Sequence, residues 1–334
     1  MSEQCNHNIC TQEYLVLSYY CFSKIEKPEI EVQSHKKFLA SLGAKGRIYI
    51  SQDGINGTIS ALKEHAETYM RWMKSRSYFK EIEFKEHCHN EHCFAKLTVK
   101  VRKELVALGC KVDINKMAPF VSSSEWKRLL EDKNQKKIII DVRNDYEWEV
   151  GHFEGAELIP YDTFKKVQEY TAQLKERVQG TDTKIMMCCT GGIRCEVFSA
   201  YLHDQGITNV VQLKGGIISY GKEEKSKHWM GKLFVFDDRM TVPLSDEDAP
   251  VIGECHHCKK PCDTYYNCAN MDCNELFLCC ADCLKENLGA CKKECLKGKR
   301  VRPFQISHKP FRRWYNYGTS KTEVCCNKET NVTI

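Results

Sequence analysis

Apolar and polar residues alternate along the first hundred residues in blocks that predict strands and helices in turn. The blocks predict a strand, a helix, two strands, a helix and two strands, at residues 14–22, 29–42, 47–51, 58–61, 63–76, 81–85 and 95–103. Between the second and third strands lies Asp53-Gly54-Ile55-Asn56-Gly57, whose glycines indicate a hairpin-like connection. The first six of these elements have the order βαββαβ, which predicts a ferredoxin-like (acylphosphatase-like) α+β domain over residues 12–108, preceded by a disordered N-terminus at residues 1–11.

After a connector at residues 109–121, the pattern changes to repeated strand–helix units. Ser122 and Glu125 have the spacing of a capping box and predict the start of a helix. Three buried strands and a helix follow, at residues 138–142, 185–188, 210–213 and 195–205. Strands that alternate with helices predict a parallel sheet with helices on both faces, here over residues 122–240. The active site of such a sheet lies at the carboxyl ends of its strands.

Cysteine is concentrated towards the end of the chain, where twelve of the 21 cysteines lie from Cys255 onward. Residues 241–300 contain few apolar residues, so this segment needs cross-links, such as disulfides or metal ions, in place of a large core. The first ten residues lack the order of a signal peptide, and no apolar run is long enough to span a membrane. We therefore expect a cytoplasmic protein whose cysteines are metal ligands or catalytic thiols.

Eight of these cysteines form four close pairs, a spacing that favours zinc. The pairs are Cys255 and Cys258, Cys268 and Cys273, Cys280 and Cys283, and Cys291 and Cys295. Four pairs suit two tetrahedral sites of four thiolates each, which makes this segment a zinc-binding-like module. The sequence leaves open which pairs share a site, and Cys262 and Cys279 are left over. Disulfides, or free thiols with a structural role, are the competing interpretations.

Positive charge is concentrated in the same part of the chain. From Leu284 onward there are twelve lysines and arginines against four acidic residues, although the net charge of the whole chain is only +5. Aromatic residues interleave with this charge in a basic tail at residues 301–334, whose end we expect to be disordered. A basic segment without an amphipathic apolar face favours nucleic acid over a membrane as its partner. The alternative is a solvated tail that keeps the protein soluble.

The sequence CCTGGIRCE at residues 188–196 follows an apolar run and carries the strongest chemical signal. A cysteine between a strand and a helix meets free backbone N–H groups and the positive end of the helix dipole, which favour the reactive thiolate. Two registers compete. Counted from Cys188 the loop has the spacing of cysteine phosphatases, which cradle a phosphate. Counted from Cys189 it is the smaller loop of a persulfide-forming sulfurtransferase.

The flanking motifs resemble those of single rhodanese domains. They are Asp141-Val142-Arg143, Glu147, Gly151-His152, Gly155-Ala156, Ile159-Pro160 and, after the next strand, Lys214-Gly215-Gly216. The resemblance implies that Cys189 is the nucleophile, in an active-site loop formed by Thr190, Gly191, Gly192, Ile193 and Cys195. Arg194 then supplies positive charge or pairs with a carboxylate on the helix, and Asp141 and Arg143 support the loops. Cys195 either resolves a persulfide or is a small helix residue.

A narrower resemblance covers about residues 12–300. Gln52-Asp-Gly-Ile-Asn-Gly-Thr58, the loop at residues 189–196 and the cysteine-rich tail resemble, in the same order, the bacterial tRNA uridine hydroxylases of the TrhO (YceA) family. Asp53 departs from the more usual glutamate but keeps its charge. This resemblance implies 5-hydroxylation of the wobble uridine of tRNA with molecular oxygen as co-substrate, dependent on the rhodanese cysteine. The sequence contains no flavin or nicotinamide motif, and it leaves the activation of dioxygen and the oligomeric state open.

An enzyme of this kind must hold RNA phosphates near the anticodon and unstack a base. The candidate phosphate contacts are Lys96, Lys100, Arg102, Lys103, Arg300, Arg302, Arg312 and Arg313. Two alternatives to the hydroxylase remain at this point. One is a plain sulfurtransferase that carries a persulfide on Cys189, and the other is a binding protein with an inert rhodanese domain.

Overall fold

The computed structural model describes residues 13–159 and 163–304, so the predicted disordered N-terminus (residues 1–11) and residues 305–334 of the basic tail lie outside the described residues. The chain divides into two compact units, one up to Ile252 and one from Gly253 onward. Within the described residues, no helix has the length and apolar character needed to cross a membrane.

The first part of the larger unit is the predicted ferredoxin-like sheet with one additional strand. Its elements are β1 (Tyr14–Phe22), α1 (Pro28–Ser41), β2 (Lys45–Ser51), β3 (Gly54–Leu62), α2 (Lys63–Lys74), β4 (Glu83–His89) and β5 (Leu97–Val101). The strand order is β4-β1-β3-β2-β5, antiparallel except that β5 runs parallel to β2. Alternate residues of β1, such as Leu17 and Tyr19, are buried in the core that this sheet forms with α1 and α2.

One sequence expectation for this sheet is wrong in its bounds. The hairpin turn consists of Gln52 and Asp53 alone, and Gly54 to Gly57 already belong to β3. Ile55 and Ile59 explain the difference, because both are fully buried and require the period of two that a strand provides. Asn56 and Thr58 consequently lie on the opposite, helix-free face of the sheet.

The second sheet has the order β6-β11-β10-β7-β9, and all of its strands are parallel. Its elements are β6 (Phe120–Val121), α3 (Ser123–Glu131), β7 (Lys137–Asp141), α4 (Asp145–Trp148), β8 (Gly151–Phe153), β9 (Glu157–Leu158), α5 (Val167–Val178), β10 (Lys184–Cys188), α6 (Ile193–Asp204), β11 (Val210–Leu213) and α7 (Gly216–Glu224). One apolar cluster joins the sheet to α3 and α7, and a second joins it to α5 and α6. The predicted fold class, a parallel sheet with helices on both faces, is confirmed.

Only half of the predicted capping box forms at the start of α3. The Ser122 hydroxyl accepts a hydrogen bond from the Glu125 backbone N–H at 3.2 Å. The Glu125 carboxylate does not return to Ser122, because it accepts two hydrogen bonds from Arg128. Short strands β12 (Trp229–Gly231), β13 (Leu233–Phe234) and β14 (Thr241–Val242) complete this unit.

The smaller unit, from Gly253 onward, contains little regular structure. It has a hairpin of β15 (Tyr265–Asn267) and β16 (Leu276–Leu278), followed by helix α8 (Ala281–Glu286). Its buried apolar side chains are few, among them Phe277 and Leu284, and most of its other buried positions are cysteines. This composition agrees with the expectation that the segment is held together by something other than a large core.

Candidate active site

Cys189 lies where β10 ends, on a loop that turns directly into α6. Gly192 adopts a φ of +106°, a conformation that favours glycine, and its backbone N–H donates to the Cys189 sulfur at 3.1 Å. The start of α7 packs closely behind the loop, since a Cβ on Gly216 would lie 2.6 Å from the Cys189 carbonyl oxygen. The Ile217 and Ile218 N–H groups donate to the Cys189 and Thr190 carbonyls. The loop is therefore held by the Gly192 N–H on one side and by the start of α7 on the other.

The two adjacent cysteines lie in different environments. Cys188 packs in the apolar cluster on the α3 and α7 side, whereas Cys189 belongs to the cluster on the α6 side. Burial raises the pKa of the Cys188 thiol well above its usual range. Burial also opposes ionisation of Cys189, but the Cys195 thiol, the Arg194 charge and the N–H groups of Cys195 and Gly192 outweigh it and lower the pKa of Cys189 to about 5. Of the two, only Cys189 is a thiolate at neutral pH.

Cys195 is fully buried beside this thiolate. Burial and the neighbouring Cys189 charge raise the pKa of the Cys195 thiol well above its usual range. Cys195 therefore keeps its proton and serves as a hydrogen-bond donor to the Cys189 sulfur. This contact is compatible with both roles that the sequence left open for Cys195.

A titration of the Cys189 thiol checks this description. We expect the thiolate absorbance near 240 nm, taken as the wild-type spectrum minus that of Cys189→Ser, to rise with pH around a midpoint of about 5. Subtraction removes the contribution of the other cysteines. In Cys195→Ala the midpoint should move upward, because the thiolate loses a donor. A wild-type midpoint between 8 and 9, the ordinary range of a free thiol, would contradict the assignment of Cys189 as a stabilised thiolate.

Arg194 is held by a carboxylate, as one of the sequence alternatives expected, but the carboxylate lies on α4 and not on its own helix. Its guanidinium donates to both oxygens of Glu147, with Nη2 at 2.7 Å from Oε1. The Thr190 hydroxyl also donates to Glu147, at 3.0 Å. Burial alone would raise the pKa of Glu147, but Arg194 and Arg143 lower it, so this fully buried group is ionised. The sequence analysis noted Glu147 only as part of a motif and missed this role.

Asp141 and Arg143 form a completely buried ion pair, with Nη2 and Oδ2 2.5 Å apart. Arg143 also donates to the carbonyls of Glu147 and Gly151 at 3.2 and 2.6 Å. These bonds connect the end of β7 to α4 and β8. Neither side chain makes a hydrogen bond to the Cys189 sulfur among the described residues, and their supporting role stays a prediction.

The ferredoxin-like sheet contributes three contacts that sequence analysis missed. Lys85 Nζ donates to the Gly191 carbonyl at 2.9 Å, and the Tyr20 hydroxyl donates to Glu196 Oε1 at 2.5 Å. A Cβ on Gly192 would lie 2.8 Å from the same Tyr20 hydroxyl. These partners are separated by more than a hundred residues, so no local pattern in the sequence could reveal them. The thiol loop is therefore covered by the neighbouring domain.

A cavity of about 820 Å³ lies between the sheet and the loop. One wall is the helix-free face of the ferredoxin-like sheet, and Cys189, Thr190, Gly191, Ile193 and Arg194 belong to another. Lysines and arginines from both domains also line it, namely Arg47, Lys85, Lys222, Lys225 and Arg239, together with the acidic residues Glu86, Asp237, Asp246 and Glu247. With six lysines and arginines against four carboxylates in its walls, the cavity has a small excess of positive charge and room for an anionic ligand larger than a single phosphate.

The proposed RNA contacts separate into distinct groups. Lys96, Lys100, Arg102 and Lys103 are all exposed on or beside β5, and the Arg102 guanidinium lies 4.4 Å above the Tyr49 ring. In the smaller unit Arg300 pairs with Asp272 at 3.0 Å, and Arg302 donates to the Cys268 carbonyl and to Asn274. Arg302 thus has a structural role in this unit. Arg312 and Arg313 lie outside the described residues.

Two groups of four thiols assemble in the smaller unit, and the pairs are interleaved. Cys255 and Cys258 meet Cys280 and Cys283, and within each group all ligand atoms lie within 4.8 Å of one another. The second group consists of Cys268, Cys273, Cys291 and Cys295. The sulfur atoms of Cys258 and Cys280 are 3.7 Å apart, and those of Cys273 and Cys291 are 3.6 Å apart. A tetrahedron with Zn–S bonds of about 2.3 Å has edges of about 3.8 Å, whereas a disulfide is about 2 Å long.

Comparison with known proteins decides the family. A protein of Protochlamydia amoebophila named tRNA uridine(34) hydroxylase is 51% identical over 306 residues, which cover 91% of this chain and 95% of that protein. Proteins of the same name from Chlamydia pneumoniae and Chlamydia trachomatis serovar D are 48% and 43% identical, over 94% and 98% of their lengths. This chain belongs to the tRNA uridine(34) hydroxylase family. The resemblance seen in the sequence motifs is confirmed.

Family models for separate regions agree with the architecture. A UPF0176 acylphosphatase-like domain matches residues 14–105, a rhodanese-like domain matches residues 122–223, and a rhodanese C-terminal segment matches residues 230–296. The names of the relatives favour the hydroxylase hypothesis over the plain sulfurtransferase. Membership of a family of enzymes also argues against an inert scaffold.

Proposed function

We propose that this protein hydroxylates C5 of uridine 34, the wobble position of tRNA. The observation that carries the proposal is the Cys189 sulfur, which accepts the Gly192 N–H at 3.1 Å at one wall of a cavity lined by lysines, arginines and carboxylates, in a chain about half identical to named tRNA uridine(34) hydroxylases. The reaction replaces C5–H with C5–OH. With dioxygen as the oxidant, one oxygen atom enters the product, and a two-electron reductant converts the other to water.

The chain's own residues have separable roles in this proposal. Cys189 is the reacting thiol, and the N–H of Gly192 and the thiol of Cys195 stabilise its negative charge. Arg194 raises the local positive potential while Glu147 fixes its orientation. The Asp141–Arg143 ion pair positions α4 and β8 relative to the end of β7. A tRNA substrate also supports a cytoplasmic location for the protein.

The cationic side chains beside β5 are proposed contacts for phosphates of the anticodon region. Lys96, Lys100, Arg102 and Lys103 are exposed on one edge of the ferredoxin-like sheet, and Tyr49 below Arg102 lines the cavity. Arg300, Arg302, Arg312 and Arg313 complete the proposed set. Because Arg302 also holds the Cys268 carbonyl, its replacement would act on structure as well as on binding.

We also propose that the smaller unit holds two structural zinc ions. Each would have four cysteine ligands, which matches the closed, four-coordinate geometry of structural zinc and leaves no open position for substrate. The backbone supports this assignment symmetrically. The Cys280 N–H donates to the Cys255 sulfur, and the Cys291 N–H donates to the Cys268 sulfur. Such N–H contacts stabilise thiolate ligands.

Labelled oxygen provides the test of this function. The full-length protein, a thiol reductant and unmodified tRNA are incubated under ¹⁸O₂, and the nucleosides are analysed by mass spectrometry. We expect 5-hydroxyuridine that carries one ¹⁸O atom and arises only from position 34, as shown by a tRNA with cytidine at that position. Unlabelled product would exclude dioxygen as the oxygen source. Unchanged tRNA together with conversion of thiosulfate and cyanide to thiocyanate would favour the sulfurtransferase.

A further inference from the structure

The helix-free face of the ferredoxin-like sheet presents an ordered row of side chains to the cavity. In the register of the sheet, Tyr20 of β1 and Tyr49 of β2 lie opposite Asn56 of β3, one on each side. Directly paired residues place their side chains on the same face, and all three line the cavity. Asn56 is therefore flanked by two aromatic side chains. We call this set the Tyr-Asn-Tyr row.

Positive charge lies beside this row, although Glu83 of β4 stands opposite Tyr20 and Glu196 accepts the Tyr20 hydroxyl. The next row of the sheet pairs Lys85 with Ser18, Ser18 with Thr58, and Thr58 with Arg47. At the edge of the sheet, Lys100 of β5 lies opposite Tyr49. A path of cations therefore extends from the exposed strand β5 into the cavity, which is the pattern expected for a strand of nucleic acid that enters with its base first.

The Asn56 side chain has no partner within the part of the chain that the structure describes. Among the described residues it makes no hydrogen bond, although the neighbouring Thr58 hydroxyl bonds to Ser18 at 3.1 Å and the Tyr20 hydroxyl to Glu196. Arg47 likewise forms no ion pair within residues 13–159 and 163–304. A half-buried amide between two tyrosines keeps one acceptor and two donor positions available for a ligand.

We propose that the Tyr-Asn-Tyr row is the binding site of the target base, and that Asn56 pairs with the Watson–Crick edge of uracil. The amide oxygen would accept the uracil N3–H, and the amide nitrogen would donate to the adjacent carbonyl oxygen. The tyrosines would pack beside the base, as aromatic residues do in single-stranded RNA sites. Held by this edge, a uracil directs its C5–C6 bond away from the sheet, and Cys189 lines another wall of the same cavity. The inference rests on the proposed function and adds the residue that recognises the substrate base.

Binding measured without turnover tests this site. In the full-length Cys189→Ser protein, we compare the Kd of an anticodon stem–loop with uridine 34 against the same stem–loop with an abasic site 34. We expect uridine to bind about tenfold more tightly, which corresponds to about 1.4 kcal/mol, because the amide pairs with the base edge. Adding Asn56→Leu should remove most of this preference, with the remainder due to the tyrosines, while the abasic Kd stays the same. Asn56→Asp, which keeps the shape but loses the donor, should also remove most of the preference.

A matched control separates base recognition from phosphate binding. Lys100→Gln should weaken both stem–loops equally and reduce the dependence of Kd on salt. Thermal unfolding identifies any variant that fails to fold. Agreement between Asn56→Leu and Asn56→Asp excludes an effect peculiar to either new side chain. The proposal is overturned if the parent protein binds both loops equally, or if the preference survives both Asn56 variants. If the Asn56 variants lose the preference but the wild type does not hydroxylate tRNA, the base-binding site is supported and the proposed reaction is rejected.

Discussion

Replacing Cys189 with serine is expected to reduce uridine hydroxylation by about a thousandfold or more, with little change in tRNA affinity. Serine keeps the size of the side chain but holds its proton at neutral pH, so the charge stabilised by Gly192, Cys195 and Arg194 disappears. The measurement is single-turnover formation of 5-hydroxyuridine, beside the Kd for the same tRNA.

The adjacent cysteine provides the matched control. Cys188 lies in the apolar cluster on the other side of the sheet, and its sulfur makes only a weak contact with the Ile140 carbonyl, at 3.8 Å. Cys188→Ala should therefore keep activity within about threefold while costing about 1 kcal/mol of stability from a small cavity. Equal loss of activity in both variants would show that the phosphatase-like register, or a role for both thiols, describes the chemistry better.

Removal of metal is expected to have the largest effect on structure. The protein purified under reducing conditions should contain two zinc ions per chain by elemental mass spectrometry. A strong chelator should unfold the smaller unit, because metal binding supplies about 10–16 kcal/mol per structural site and the apolar core of this unit is small. Hydrogen exchange over residues 253–304, with and without chelator, measures the loss.

Single cysteine variants test the assignment of ligands. Cys258→Ser and Cys273→Ser each remove one ligand from a different group and should leave at most one zinc ion per chain. Cys262→Ser and Cys279→Ser are the controls, since both thiols lie outside the two groups and should leave two. Fewer than one zinc ion in the freshly prepared wild type would reject the two-site proposal.

Much of the fold could be predicted because its signals are local. The β-prone run at Tyr14–Phe22 is a strand with those bounds. Helix α1 begins and ends one residue before the predicted helix at residues 29–42. The predicted hairpin at Asp53 is too broad because glycine and asparagine favour turns, whereas the burial of Ile55 and Ile59 overrides that preference. Turn propensity is a weak signal beside the burial of alternate residues.

The candidate site was predictable only in part, for a related reason. Cys189 and its loop form one continuous motif, so their arrangement follows from a short stretch of sequence. Glu147, Lys85 and Tyr20 reach the loop from distant parts of the chain, and nothing in their local sequences indicates that contact. The interleaved thiol pairs illustrate the same limit, because spacing identified the four pairs but gave no information on which of them meet.

The interleaving has a consequence for synthesis of the protein. Each group takes one pair from before residue 274 and one pair from residue 280 onward, so neither can close while the chain ends before Cys280. When only the first two pairs have left the ribosome, their four thiols cannot yet form either group of four. A bound metal cannot protect these thiols from oxidation in this interval, and the first group is completed at Cys283, before the second at Cys295.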